Sequence, residues 1–200
     1  MAIPKTDKHF LHWNYFIALE EDLEKIARYI EFDEANYDTY SLELAHLLLA
    51  SSSEVDVVLK ALCNMLNPDK DHQNMYDYRT TIMAFIPKLS NEEVTIPRYG
   101  LTLNPLINWS NDKKPDWWDG YNNVKHHRDE KFNEANLKHT LNAVASLGLI
   151  VLYFYREELA NEEDKGSTDI DFRDVTKNFH SETSLISFNG DYTHKRVMSS

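Results

Sequence analysis

The sequence predicts an all-α fold, a bundle of about five helices with an irregular packed wrap at residues 87–116 and a peripheral C-terminal tail. Hydrophobic residues make up 42% of the 200-residue chain and charged residues 27%, which is the balance of a globular protein. Five glycines and six prolines are too few for a β-sandwich or barrel, because such folds turn about every ten residues. Long stretches also place apolar residues three or four positions apart, the period of an amphipathic helix.

The first two predicted helices occupy residues 9–30 and 40–66. Both stretches follow the helical period of apolar residues along their length. Thr39 or Ser41 can cap the second helix, and Pro68 stops it. A helix of this length is a rod of about 40 Å, and we expect it to be the central rod of the fold.

A third helix is predicted over residues 74–86. The stretch that follows, residues 87–116, contains four of the six prolines and breaks the helical pattern. An irregular stretch of this length is uncommon within a compact domain unless it is functional or packed. Its apolar residues, among them Leu106 and Trp109, are numerous enough to dock on the bundle, so we expect an ordered wrap.

Two further helices complete the predicted bundle. Pro115 suits the first position of a fourth helix, which extends to Arg128. The last long helix is predicted over residues 134–159. Asn133 is its predicted N-cap, because apolar residues flank it in the pattern of a hydrophobic staple.

We expect residues 1–160 to form a single helical bundle and residues 161–200 to form an acidic and polar C-terminal tail. Within that tail, residues 184–188 can form one short edge strand. The longest apolar stretch, residues 143–155, is shorter than the ~20 residues that span a bilayer and is predicted to be a buried core helix. The first twenty residues lack the apolar core of an export signal. These features predict a cytoplasmic protein that does not bind a membrane.

Charge patterning excludes several classes of function and indicates one region. The chain has 21 basic and 33 acidic residues, a net charge of −12, so its surface as a whole should repel polyanions. Residues 112–139 are the exception, because their charges cancel and they contain His126, His127 and His139. A modest fall in pH makes this segment positive, and we expect any anionic ligand to bind here.

Other chemistries find little support in the sequence. Cys63 is the single cysteine, which permits neither an internal disulfide nor a cysteine-based zinc site. The glycine-rich phosphate loops, the HExxH zinc motif and the GxSxG nucleophile motif do not occur. The sequence therefore predicts no metal and no cofactor.

Polar side chains of the types used in catalysis are concentrated in residues 121–128, YNNVKHHR. On a helix, Asn122 and His126 are four positions apart and share a face. Histidine moves protons near neutral pH, while Lys125 and Arg128 can stabilise charge that develops on a phosphate. This set fits metal-independent cleavage of RNA, in which the attacking 2′-hydroxyl belongs to the substrate. The same residues also fit an ordinary solvated helix surface.

The tryptophan pair at 117–118, the YNNVKHHR run, the FNEANL stretch at 132–137 and the EVDVVLK stretch of the second helix resemble HEPN domains. The similarity covers about residues 9–160 and is strongest at 117–160. HEPN domains are helical bundles that usually form dimers. Many are metal-independent ribonucleases of bacterial defence or stress systems, and others are inactive binding modules. The resemblance therefore implies a homodimer that acts on RNA without a cofactor.

The catalytic signature of the family is an arginine followed four to six residues later by a histidine, commonly with a polar residue directly after the arginine. Alignment of His126 with that histidine places Asn122 at the polar position and Tyr121 at the arginine position. His126 is then the acid–base group, oriented by Asn122. Lys125 or Arg128 would supply the positive charge that Tyr121 lacks.

Four residues receive secondary roles in this interpretation. Tyr121 and His127 are predicted to contact the substrate. Glu54 and Lys60 lie near the apolar boundary of the second helix, from which an acidic side chain can orient His126.

A second interpretation remains open. Tyr121 at the arginine position and the net charge of −12 also favour a non-catalytic helical module that binds a protein partner or a nucleotide. Salt dependence separates the two interpretations, because binding through phosphate contacts weakens steeply as salt rises.

Overall fold

The computed structural model describes residues 10–166, 169–179 and 181–189. Within them the chain forms seven α-helices and one two-stranded antiparallel sheet. The helices are α1 (Leu11–Ile26), α2 (Leu42–Leu66), α3 (Met75–Phe85), α4 (Asp116–His126), α5 (Arg128–Lys131), α6 (Leu137–Glu162) and α7 (Phe172–Thr176), and the strands are β1 (Val94–Ile96) and β2 (Leu101–Leu103). The predicted helical class is confirmed, but the fold is not an all-α bundle of five helices.

Helices α2 and α6 lie side by side at the centre and run in the same direction. Thr140, near the start of α6, donates a hydrogen bond to the carbonyl oxygen of Leu44, near the start of α2 (3.2 Å). Further along both helices, Glu54 and Phe154 contact the same residue, His12. The expectation of α2 as a central rod therefore holds, with α6 as its equal partner.

Helix α6 is long and apolar enough, by length and composition, to cross a membrane. In this structure 78% of its most apolar stretch is buried inside the protein, as in the core helix of a helical bundle. The burial is nearly continuous between Ala143 and Tyr155. That continuity follows from its neighbours, because α2 covers one side and α1, α4 and α7 contact others.

Helix α1 packs antiparallel to α6. The amide of His12 donates to the hydroxyl of Tyr155 (3.2 Å), and Phe16 packs four residues further along α1 against Gly148. A Cβ atom at position 148 would lie 2.8 Å from the Phe16 ring, so only glycine lets the two helices approach this closely.

Polar caps explain where most helices begin. Ser41 caps α2 by accepting a hydrogen bond from the amide of Leu44 (3.1 Å). The N-cap of α6 is Asn136, which accepts from the amide of His139 (2.9 Å). The prediction of Asn133 as this cap was wrong, because Phe132–Glu134 form a separate 3₁₀ turn before the helix.

The wrap at residues 87–116 is ordered and packed, but it is not wholly irregular. It contains the β1–β2 hairpin, whose turn places Gly100 at φ 65°, a left-handed conformation suited to glycine. Trp109 is completely buried within the wrap. The indole of Trp117 in α4 donates to the carbonyl of Pro105 (2.8 Å), which ties the wrap to the bundle.

The described part of the C-terminal segment is not a loose peripheral tail. Its residues Leu185, Ile186 and Phe188 are buried, and Ser187 exchanges two backbone hydrogen bonds with Thr95 of β1. The predicted strand at 184–188 is reduced to this single bridge. Residues 167–168, 180 and 190–200 of the predicted tail lie outside the described residues.

One buried carboxylate holds this segment in place. Glu20 of α1 is only 1% exposed, and its two oxygens accept hydrogen bonds from the backbone amides of Ser184, Leu185 and Ile186 (2.7–3.0 Å). Burial raises the pKa of Glu20, and the three amide donors partly oppose that rise. The segment is therefore fixed by charge-assisted hydrogen bonds and by its apolar side chains.

Candidate functional site

The candidate site lies at the C-terminal end of α4. This helix has Asp116 and Asp119 in its first turn and Lys125 and His126 in its last turn, so its charges complement the helix dipole. Its buried residues are spaced three or four apart and face the core: Trp117, Gly120, Tyr121 and Val124. The other face of α4 therefore remains exposed to solvent.

The predicted catalytic run is divided between two helices. Helix α4 ends at His126, and His127 leaves the helical conformation (φ −136°, ψ 40°) before α5 begins at Arg128. The amide of His127 still bonds to the carbonyl of Asn123 (2.8 Å), which closes the last turn. The predicted fourth helix therefore ends two residues earlier than expected, and Arg128 belongs to α5.

Tyr121 and Lys125 are brought together by the structure. Tyr121 is 7% exposed, with its ring tilted against that of Trp118 (5.1 Å between centroids). The ammonium of Lys125 donates to the Tyr121 hydroxyl (3.1 Å) and lies 5.2 Å from the centre of the Tyr121 ring. The positive charge of Lys125 therefore lies directly at the Tyr121 hydroxyl.

Asn122 and His126 share a face of α4, but they are not hydrogen-bonded to each other. Asn122 is half-buried and donates from Nδ2 to the carbonyl of Trp118 (2.9 Å), one turn earlier in the same helix. His126 is exposed, and no hydrogen bond to its ring is found among the residues described. The imidazole is therefore accessible to a ligand, whereas the amide of Asn122 is engaged with the preceding turn of its own helix.

The last turn of α4 and helix α5 are rich in exposed side chains that are or can become cationic. These are Lys125, His126, His127, Arg128 and Lys131. Asp129 and Glu130 are the exposed acidic residues of the same region. This concentration of positive groups is where the sequence had indicated an anionic ligand, within an otherwise acidic protein.

Glu54 and Lys60 are placed far from this site. The carboxylate of Glu54 is 2.5 Å from Nδ1 of His12, and both side chains are mostly buried beside Phe154. On α6, Phe154 lies fourteen residues beyond Thr140, which is about 21 Å of helix. Helix α4 connects to the opposite end of α6, so Glu54 orients His12 and does not reach His126. Lys60 is exposed and lies more than one turn further along α2.

His139 was not among the predicted site residues, although contacts with Glu134 and Gly120 fix the position of its ring. Nδ1 of His139 is 2.9 Å from the carbonyl oxygen of Glu134, and the side chain is 12% exposed. Its ring lies on the backbone of Gly120, where a Cβ atom would be too close to Nδ1 for the ring to stay in place. The signal in the sequence was Gly120 itself, since glycine inside a helix costs about 1 kcal/mol relative to alanine.

No metal centre is found in the described ranges 10–166, 169–179 and 181–189, where no three His, Cys, Asp or Glu side chains converge in a way that would hold an ion. Cys63 is buried, and burial raises the pKa of its thiol to about 12, so it is not available as a thiolate near neutral pH.

Comparisons with known proteins identify no relative. No family model, no curated protein and no solved structure matches this chain. The interpretation of the site therefore depends on the chemistry of its own residues.

Proposed function

We propose that this chain is a HEPN-like protein that acts on RNA, as a metal-independent endoribonuclease of a bacterial defence or stress system, at the exposed end of α4. The observation that supports the proposal most directly is the 3.1 Å hydrogen bond from Lys125 to Tyr121. Through this contact, Lys125 supplies a cation at the position where HEPN domains have arginine. The departure at Tyr121 is thereby compensated one helical turn later.

The proposed chemistry needs only proton transfer and charge stabilisation. The 2′-oxygen of the RNA attacks the adjacent phosphorus while His126 accepts the 2′-hydroxyl proton. The bond from phosphorus to the 5′-oxygen breaks, and that oxygen takes a proton from a second acid, leaving a 2′,3′-cyclic phosphate and a 5′-hydroxyl. Lys125 stabilises the negative charge on the phosphorane. A homodimer would supply the second acid as the His126 of the partner subunit.

Cleavage of single-stranded RNA in the presence of EDTA tests this proposal. We expect His126→Ala to lower the rate by at least about a hundredfold, the usual contribution of an acid–base group. His46→Ala is the matched control, because it changes an exposed histidine on α2 (60% side-chain exposure). This variant should cleave RNA at the parent rate. Cleavage by His126→Ala at the parent rate, or no cleavage by the parent protein, would contradict the proposal.

The role of Lys125 is tested separately. Lys125→Arg keeps the charge beside Tyr121 and should retain most of the activity, whereas Lys125→Gln removes the charge and should lose most of it. Tyr121→Phe removes only the hydroxyl that Lys125 contacts. If Lys125→Gln were as active as Lys125→Arg, the compensation at the arginine position would be excluded.

A non-catalytic interaction module is the second candidate, and one feature favours it. Tyr40 and Leu42 are 52% and 54% exposed next to the connection between α4 and α6, and the Tyr40 ring packs edge-on against Phe132 (5.9 Å). An exposed apolar patch suits contact with another protein chain. Leu42→Asp should abolish such an association in sedimentation experiments, and a roughly tenfold rise in salt should hardly weaken it.

A further inference from the structure

A cavity of about 280 Å³ lies between the N-terminal ends of α4 and α6, strand β2 and the loop that follows β2. Its lining includes Glu34, Asn108, Asp116, Lys138, His139 and Asn142. The cavity is separate from the end of α4, because His126 is six residues, about 9 Å of helix, beyond Gly120. Nothing in the proposed RNA chemistry uses these side chains.

The contacts of His139 determine which of its nitrogens can bind a ligand. A backbone carbonyl only accepts hydrogen bonds, so the 2.9 Å contact with Glu134 requires the proton on Nδ1. The neutral ring therefore carries its lone pair on Nε2. No hydrogen-bond donor from the described residues reaches Nε2, and Gly120 holds the ring in this orientation. His139 lines the cavity, and Nε2 is the ring nitrogen that is left to accept a hydrogen bond.

The amide side chains of the cavity are oriented in the same sense. Asn142 uses Nδ2 to donate to the carbonyl of Lys138 (2.9 Å). Asn108 uses Nδ2 to donate to the carbonyl of Lys114 (3.2 Å) and to the Asp116 carboxylate (2.8 Å). Both N–H donors of Asn108 and one of the two of Asn142 are therefore used within the protein, and the oxygens of both amides are left as acceptors.

The charge of the lining has the matching sign. Glu34 and Asp116 are carboxylates, and Lys138 is the single cationic residue of the lining that the structure describes. Acceptor groups together with one net negative charge favour a ligand that has N–H donors and a positive charge.

We propose that this cavity binds a small organic cation with N–H donors, a primary amine or a guanidinium compound, with Nε2 of His139 and the Asp116 carboxylate as its main acceptors. The volume accommodates an aliphatic diamine. This binding is independent of any action on RNA, so a failure of either proposal leaves the other unaffected.

Isothermal titration of the full chain with putrescine and agmatine, at physiological ionic strength, tests the proposal. The uncharged control is 1,4-butanediol, which matches putrescine in length but lacks the ammonium groups. We expect the two amines to bind with one site per chain and butanediol to give no heat. Absence of binding by both amines, or equal binding by butanediol, would overturn the proposal.

Variants then test the site itself. His139→Ala and Asp116→Asn should each lower the affinity for putrescine at least tenfold, while His46→Ala, which changes an exposed histidine outside the cavity, should leave the affinity unchanged. Gly120→Ala keeps the histidine but displaces its ring, and should lower the affinity as His139→Ala does. If putrescine binds His139→Ala and Asp116→Asn as tightly as the parent, the amine is held by the acidic surface in general and the cavity site is refuted.

Discussion

Replacement of Gly120 by alanine has two opposing effects on the stability of the protein. Alanine favours an α-helix over glycine by about 1 kcal/mol, so the change alone should stabilise α4. The added Cβ, however, would overlap Nδ1 of His139 and lie 2.9 Å from Cε1 and 3.1 Å from Cγ. Rotation of the ring about its own axis moves Nδ1 away but breaks its hydrogen bond to Glu134, and it leaves Cγ 3.1 Å from the new Cβ. The side chain of His139 therefore has to rotate and shift.

The cost of that displacement follows from the interactions that His139 makes in its seat. The hydrogen bond from Nδ1 to Glu134 contributes about 0.5–1.5 kcal/mol, and repacking around an inserted methyl group costs about 1–3 kcal/mol. After subtraction of the gain in helix propensity, we expect Gly120→Ala to lower the free energy of unfolding by about 1–3 kcal/mol. His139→Ala removes the hydrogen bond and some packing, and should cost about 1–2 kcal/mol.

A double-mutant cycle measured by urea unfolding provides the assay. Without the imidazole, alanine at position 120 meets no obstacle, so Gly120→Ala should stabilise the His139→Ala protein by about 1 kcal/mol. The coupling energy between the two positions should therefore be about 2–4 kcal/mol. If the effects of the two substitutions on the free energy of unfolding add to within about 0.5 kcal/mol, or if Gly120→Ala stabilises the parent protein, glycine is not required at position 120 for the observed placement of His139.

Buried side chains elsewhere in the fold allow three further predictions, each measured by urea unfolding. Glu20→Ala leaves three backbone amides of the C-terminal segment without an acceptor and should lower the free energy of unfolding by at least about 3 kcal/mol. The control Glu21→Ala, which changes an exposed neighbour, should lower it by less than about 0.5 kcal/mol. Equal effects would contradict the role given to Glu20. Gly148→Ala places a Cβ against the ring of Phe188 and 2.8 Å from the ring of Phe16. It should lower the free energy of unfolding by about 2 kcal/mol or more. A gain in stability would show that the two rings adapt without cost. Burial lowers the pKa of His72 in the folded protein, so this histidine takes up its proton at a higher pH in the unfolded chain than in the folded one. The free energy of unfolding should therefore fall as the pH drops below about 6.5. This fall should be smaller in His72→Gln, and an identical pH profile would exclude His72 as its source.

The helical elements were predictable because their signals are local. Apolar periodicity predicted α2 as residues 40–66 and α3 as 74–86, against the observed Leu42–Leu66 and Met75–Phe85. The cap of α6 was not predictable in this way, because Asn133 and Asn136 both precede a helical stretch. A tertiary contact selects Asn136, which pairs with Tyr40 in an isolated β-bridge.

The parts that escaped prediction depend on partners distant in sequence. The segment around Leu185 and Phe188 has a polar composition, and its burial is explained by α1 and β1, which lie some ninety to 165 residues earlier. At the candidate site, the spacing predicted that Asn122 and His126 share a face. The same spacing places Tyr121 and Lys125 on one stripe of the helix, but it could not show the hydrogen bond between them, because that contact depends on side-chain orientation as well as on helical phase.

The hydrogen bonds of Glu20 also set an order of events during synthesis of the chain. Its acceptor atoms wait for amides that are 164–166 residues further along. A ribosome adding about 5–20 residues per second needs roughly 10 to 30 s to make that stretch. During this interval the aromatic residues Trp13 and Phe16 of α1 lack the cover of Phe179 and Phe188. The nascent chain therefore has an incompletely covered apolar face on α1 for most of its translation, and the native core closes only after Phe188 has been added.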